Sequence, residues 1–414
     1  MRINRQLVLL LLLIAGSGRA FVGAQTVSPR STDKTSVTVR WNRLALKFIQ
    51  ENAAIRRAAR KAATAAHDSA ALRRLATEQP PISFKVYSLV SVAQYGAVSE
   101  ARSRSVSPEA AIASASAAVL TQLYPDTTVR ASIARELATD LERSGAGSRT
   151  TAGKSLGEDV AHRVIAWAPT VSLMSPWNGT IPKGPGFWYS APGIPPIGIA
   201  LAHARTWMLD STSQFRPAPP PAFGSPEWRA AIDEVRRISR TRTAEQTRIA
   251  QKWDSGDPWD VWNEVASAAV TRHHMSDADA AKVLAVLNVG ALDAITACFE
   301  AKYHYWTIRP SQADTTIALA DSIGLPNFPS FPSGHACSAG AFDGALSSYF
   351  PGDRAEFRRI AEEQAMSRLY GGIHYRFDND GGLALGRIVA RYAVEQERRG
   401  KLNGWRDTPV ARKP

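Results

Sequence analysis

Three short clusters near the C-terminal end of this 414-residue chain hold residue types that could do chemistry together. They are Lys302 with Arg309 and Pro310, then Pro332-Ser333-Gly334-His335, then Ser367-Arg368 with His374 and Asp378. A spacing of seven is two helical turns, so on a continuous helix Lys302 and Arg309 leave one face about 10 Å apart along the axis. Ser333 after Pro332 is a helix N-cap, which aims the amides of Ser333, Gly334 and His335 at one point with partial positive charge. Gly371-Gly372 breaks the helix before it, so that Arg368 and His374 can turn into one pocket. Asp378, four residues after His374, has the helical spacing to hold one imidazole nitrogen and leave the other free.

Each cluster alone has a plain structural explanation: a basic stripe at a helix end, a capped helix, a histidine held by an aspartate. Together they are three cations, a hydroxyl, an amide and two titratable imidazoles. Burying three like charges is costly unless an anion compensates them. Charge-assisted hydrogen bonds contribute about 1.5 to 3 kcal/mol each, so five or six would hold a tetrahedral or five-coordinate oxyanion firmly. The ligand this predicts is phosphate or its analogue vanadate.

The elements that must position these residues read as helices throughout. Alanine, leucine and isoleucine recur at helical spacing over 39–80, 81–98, 108–124, 129–144 and 156–167, with no strand alternation. Residues 174–226 break the pattern with eleven prolines and with Trp177, Trp188 and Trp207, an ordered excursion that either walls the site or seals the core. Helices resume at Ser225-Pro226, with a Thr243/Gln246 capping box, a helix over 259–272 and a long one from Asp277 to about Ile308. Further helices cover 336–350, 354–370 and 379–397. The fold class is all-α. The expected organisation is 1–24 as a signal peptide, 25–36 as a disordered N-terminus, 37–255 as an N-terminal helical region containing the excursion, 256–398 as the helical region carrying the oxyanion site, and 399–414 as a frayed basic tail.

The net charge of +13 and pI near 9.9 invite a nucleic-acid reading, but the arginines are dispersed along helices and no aromatic-basic recognition motif accompanies them. The charge is read as solvated faces and steering of small anions. Arg2 and Arg5, the apolar run 7–15 and Val22-Gly23-Ala24 form a secretory signal, which places the mature protein in the periplasm or outside the cell. No later stretch reads as about eighteen apolar residues, so no stable membrane insertion is expected. Cys298 and Cys337 are the only cysteines, and both a disulfide and two buried thiols fit.

The ordered pattern Lys302-x6-Arg309-Pro310, Pro332-Ser333-Gly334-His335 and Ser367-Arg368-x5-His374-x3-Asp378 resembles the three signature motifs shared by vanadium-dependent haloperoxidases and type 2 phosphatidic acid phosphatases. Gln214-Phe215-Arg216-Pro217 and the proline run 219–221 resemble the haloperoxidase branch more loosely. The resemblance implies a large helical bundle of the vanadium haloperoxidase and acid phosphatase type. It makes His374 the residue bonded to vanadium, or the nucleophile of a phosphatase, with His335 as the acid-base group. Lys302, Arg309, Ser333, Gly334 and Arg368 would hold the equatorial oxygens, Lys302 would also polarise bound peroxide, and Asp378 would orient His374. The substrates implied are hydrogen peroxide and halide, with Phe328 and Phe299 as candidates for a halide pocket, or a small phosphoester with phosphate in the place of vanadate. A helical region of more than 250 residues ahead of the motifs favours the haloperoxidase. An oxyanion-binding protein without turnover is the alternative of a different class, disfavoured by the paired imidazoles. The halide and the oligomeric state are open at this stage.

Overall fold

Caps and proline positions written in the sequence start most of the helices in the computed structural model, which describes residues 36–71, 81–170, 172–173, 177–190 and 194–408. Helices α1 (Val37–Ala65), α2 (Ser83–Ser103), α3 (Pro108–Leu123), α4 (Thr127–Arg143) and α5 (Ser148–Trp167) form the N-terminal part. Then follow α6 (Pro226–Thr241), α7 (Ala244–Ser255), α8 (Pro258–Arg272), α9 (Asp277–Tyr305), α10 (Gly334–Tyr349), α11 (Arg354–Tyr370) and α12 (Arg376–Arg398). Ser107, Ser225 and Ser276 each accept a backbone amide of the first turn, and Thr243 and Gln246 make the expected reciprocal box. The protein is all-helical, and among the described residues the one extended pairing is an isolated bridge between Phe187 and Thr307.

Helix α9 is the axis of the packing. It touches α1, α2, α8, α10 and α12, and nearly every residue from Ala278 to Lys302 is buried. By length and composition it could cross a membrane, contrary to the expectation that no stretch would, yet 94% of its most apolar window lies inside the protein. It is apolar on every face because it is surrounded by other helices. The closest packing is α10 against α12. A Cβ at Gly340 would overlap the carbonyl of Leu383, and one at Gly386 would overlap the carbonyl of Cys337, so the two backbones touch directly.

Residues 1–35 lie outside the described residues, and with them the signal-peptide reading. Ser36, expected to close a disordered stretch, is instead the N-cap of α1 and donates to Asp277 Oδ1 at 2.5 Å. The tail is also better held than its basic composition suggested. Leu402 and Trp405 are buried, and the Trp405 ring fills the space beside Gly96 and Val160, because an indole leaves water more readily than the flanking arginines do.

Candidate active site

The first cluster converges for a reason other than the one its spacing suggested. Helix α9 stops at Tyr305, and Trp306 takes a left-handed conformation with φ 52°. Lys302 and Arg309 therefore do not share a helix face. Lys302 points inward from the last turn of α9, and Arg309 caps a one-turn helix at Pro310–Ala313 after the chain has doubled back. The excursion braces this turn: Trp188 N donates to Trp306 O at 2.7 Å and Ile308 N to Gly186 O at 2.9 Å.

Both cations are fully buried. Lys302 Nζ donates to the carbonyls of Pro329 at 2.9 Å and Ser330 at 2.8 Å. Arg309 Nε donates to Phe328 O at 3.1 Å and Nη1 to Ile373 O at 2.8 Å. Each lies 5.0 Å from the centroid of the Phe328 ring, which meets Phe299 edge-on at 5.3 Å. Ser333 caps α10 as expected, its Oγ accepting from Ala336 N, and its own amide donates to Asp378 O at 2.9 Å, joining the second cluster to the third.

His374 lies just before α12, whose N-cap is Tyr375, so the His374–Asp378 pair is not two residues stacked on a helix face. Asp378 sits at the third helical position and its Oδ2 accepts the Tyr375 amide at 3.1 Å while also facing His374 Nδ1 at 2.8 Å. One carboxylate thus caps the helix and holds the imidazole. On the other side, Arg309 Nη1 is 3.0 Å from His374 Nε2. A guanidinium can only donate, so Nε2 is the acceptor and the ring proton is on Nδ1, donated to Asp378. His335 Nε2 lies 3.0 Å from Trp253 O, which can only accept, so that nitrogen carries the proton and Nδ1 keeps its lone pair.

Desolvation dominates the electrostatics. It pulls Lys302 from 10.5 to about 8 and Arg309 down from the usual guanidinium range to about 10. Desolvation, then the charge of Arg368 and the more distant Lys302 and Arg309, pulls His335 down to about 3. The same causes, with Arg309 the first of the charges, hold His374 well below the usual imidazole range. Burial raises Asp378 to about 6. Both imidazoles are therefore neutral beside buried cations, and a bound anion would reverse that pressure.

The donor set suits an oxyanion. Arg309 Nη2 is buried with no partner, and the space a Cβ would occupy at Gly334 is open. The lysine, the two arginines, the Ser333 hydroxyl and the Gly334 amide are all donors, the chemistry phosphate or vanadate needs.

A family model for the PAP2 superfamily matches residues 281–400, a span that contains all three clusters. Those residues belong to the PAP2 superfamily. Among curated proteins, a 69-residue stretch is 44% identical to a lipid A 1-phosphatase of Rhizobium johnstonii, covering 17% of this chain and 28% of that one. A match to a vanadium-dependent bromoperoxidase of Ascophyllum nodosum is 31% identical over 115 residues, covering 20% of this chain and 21% of that one. The matched stretches thus span under a third of either relative. Among solved structures, a bacterial vanadium-dependent iodoperoxidase superposes with a TM-score of 0.64 at 23% identity, covering 77% of this chain and 91% of the other. A bacterial vanadium-dependent chloroperoxidase gives 0.62 at 13%, covering 78% and 95%. The fold, PAP2 domain and preceding helices together, is that of the vanadium haloperoxidases.

Several neighbours of the PAP2 clusters carry no motif. Arg368 donates through Nη1 to Asp254 Oδ1 at 2.9 Å, through Nη2 to Ala250 O at 2.8 Å and through Nε to Ser367 Oγ at 3.0 Å. Asp254 ends α7 more than a hundred residues upstream, and nothing local in the sequence distinguishes it. Gln364 is buried and donates to His335 O at 2.9 Å, holding the second cluster to α11. Ser330, discussed below, is visible only as the first serine of Phe328-Pro329-Ser330-Phe331-Pro332-Ser333. Cys298 and Cys337 are free, buried and within interaction range of each other behind the site.

Proposed function

We propose that this protein, an enzyme of the PAP2 and vanadium haloperoxidase superfamily, oxidises halide with hydrogen peroxide at a vanadate held by His374, and that residues 1–24 export it. The supporting observation is the extent of the structural likeness: it covers 91% and 95% of two haloperoxidase chains, far beyond the PAP2 segment. Vanadate, when bound, supplies the electrophilic centre at which peroxide becomes reactive toward halide. The chain's own residues do the rest. Lys302, Arg309, Arg368, the Ser333 hydroxyl and the Gly334 amide would hold the vanadate oxygens, with Arg309 offering its unpartnered Nη2. His374 would present Nε2 once Arg309 Nη1, which donates to it here, turned to the oxyanion, the Nδ1 proton remaining donated to Asp378. His335 accepts and returns a proton at Nδ1, and the apolar Phe328 and Phe299 rings exclude water beside the cations.

The second reading is a phosphomonoesterase in which His374 Nε2 attacks phosphorus and His335 protonates the leaving alkoxide. The 44% identity to a lipid A 1-phosphatase favours it. Assays on purified protein separate the two. Halogenation of a phenol that appears only with both vanadate and peroxide supports the haloperoxidase, and phosphate release from p-nitrophenyl phosphate that vanadate inhibits supports the phosphatase. Saturable oxyanion binding with neither activity refutes both.

A further inference from the structure

Ser330 belongs to none of the three clusters, yet it touches the first and the third and lies three residues before Ser333 of the second. It is fully buried. Its amide donates to Thr307 O at 2.9 Å and its carbonyl accepts from Lys302 Nζ at 2.8 Å, which ties it to the first cluster. The Ser330 hydroxyl donates to Asp378 Oδ2 at 2.6 Å and lies 3.5 Å from His374 Nδ1. Asp378 Oδ2 thereby meets three donors, Ser330 Oγ, His374 Nδ1 and the Tyr375 amide, while Oδ1 is buried with none. Without the hydroxyl, the carboxylate keeps only the Tyr375 amide and the imidazole it is meant to hold, both from its own helix start.

We infer that Ser330 is a positioning residue for His374: by pinning Asp378 Oδ2 it acts with Arg309, on the opposite nitrogen, to keep the imidazole proton on Nδ1 and the ring in place beside the buried cations. The inference rests on the oxyanion-site reading, but on neither activity in particular. A hydroxyl serving only to satisfy a buried carboxylate would be needed for stability alone. A positioning hydroxyl also sets the tautomer and the oxyanion affinity.

The test compares wild type, Ser330→Ala and Ser330→Thr. In Ser330→Ala, affinity for inorganic vanadate measured by calorimetry on vanadate-free protein should fall about 10- to 100-fold, the range for loss of a group that orients a ligand. The turnover number should fall by a similar factor with KM within about threefold. In ¹⁵N-histidine spectra the His374 nitrogens should move from one protonated and one bare toward averaged values. Ser330→Thr, which keeps the hydroxyl, should restore all three. Unchanged vanadate affinity and unchanged imidazole shifts in a folded Ser330→Ala overturn the inference. If that variant does not fold, Ser330→Cys, a weaker donor of similar size, carries the same expectation and the same refutation. Wild-type protein that binds neither vanadate nor phosphate would instead sink the oxyanion reading, and the comparison of imidazole shifts would still decide the role of Ser330.

Discussion

Replacing Lys302 by methionine should change how stability depends on pH, by an amount the structure fixes. The ammonium is fully buried among carbonyl oxygens, and desolvation brings its pKa from 10.5 to about 8. Below about pH 8 the lysine is charged in both folded and unfolded chains, and the folded state carries a constant penalty. Between about 8 and 10.5 the unfolded chain keeps this proton and the folded chain releases it, so unfolding takes up a proton and wild-type stability rises with pH. A shift of that size is worth about 3 kcal/mol over the whole window, at about 1.4 kcal/mol per pH unit. Methionine keeps the length of the stem and removes the titration. The two orphaned carbonyls lower the variant's stability by an amount that does not vary with pH, so only the difference between the curves matters. Urea unfolding in phosphate-free buffer from about pH 7 to about pH 10.5 should show wild type gaining about 3 kcal/mol relative to Lys302→Met. Saturating phosphate, by pairing the ammonium, should flatten that gain in wild type. Parallel curves without phosphate would refute the reasoning, since they would mean that the lysine is not desolvated in the empty pocket.

His374→Ala should leave circular dichroism unchanged and lower turnover of whichever reaction the enzyme performs by about a thousandfold or more, because nucleophile or ligand is lost outright. Asp254→Asn removes the carboxylate facing the buried Arg368 and should cost about 1–3 kcal/mol in chemical denaturation, less than a fully buried pair because Asp254 is 33% exposed. An Arg368/Asp254 double-mutant cycle measures the coupling. Gly386→Ala, which pushes a methyl into the Cys337 carbonyl on α10, should lower stability by about 1–3 kcal/mol and, by prying α12 from α10, weaken vanadate binding in calorimetry.

The helices, and the set of residues that gather at the candidate site, were legible in the sequence because caps and motif positions are local. Ser276, Ser333 and the Thr243/Gln246 box begin helices where their chemistry requires. The geometry behind two spacings was not. Seven residues from Lys302 to Arg309 read as two helical turns, but the chain reverses at Trp306, and no propensity marks a tryptophan for the left-handed region. Four residues from His374 to Asp378 read as a helical pair, whereas they span a helix start. Asp254 escaped because its partner Arg368 is distant in sequence, and Ser330 because a serine between prolines looks like any turn.

The buried cations are held mostly by main-chain oxygens: Pro329 and Ser330 on the lysine, Phe328 and Ile373 on Arg309, Ala250 on Arg368. Peptide dipoles stabilise a positive group without cancelling it, so the cavity keeps a standing attraction for negative guests. A carbonyl has no proton to gain or lose across the physiological range, and it survives replacement of the side chain beside it. The hold on Lys302 and Arg309 is therefore written into the path of the backbone, where drift in the side chains of Phe328, Pro329 or Ile373 leaves it intact.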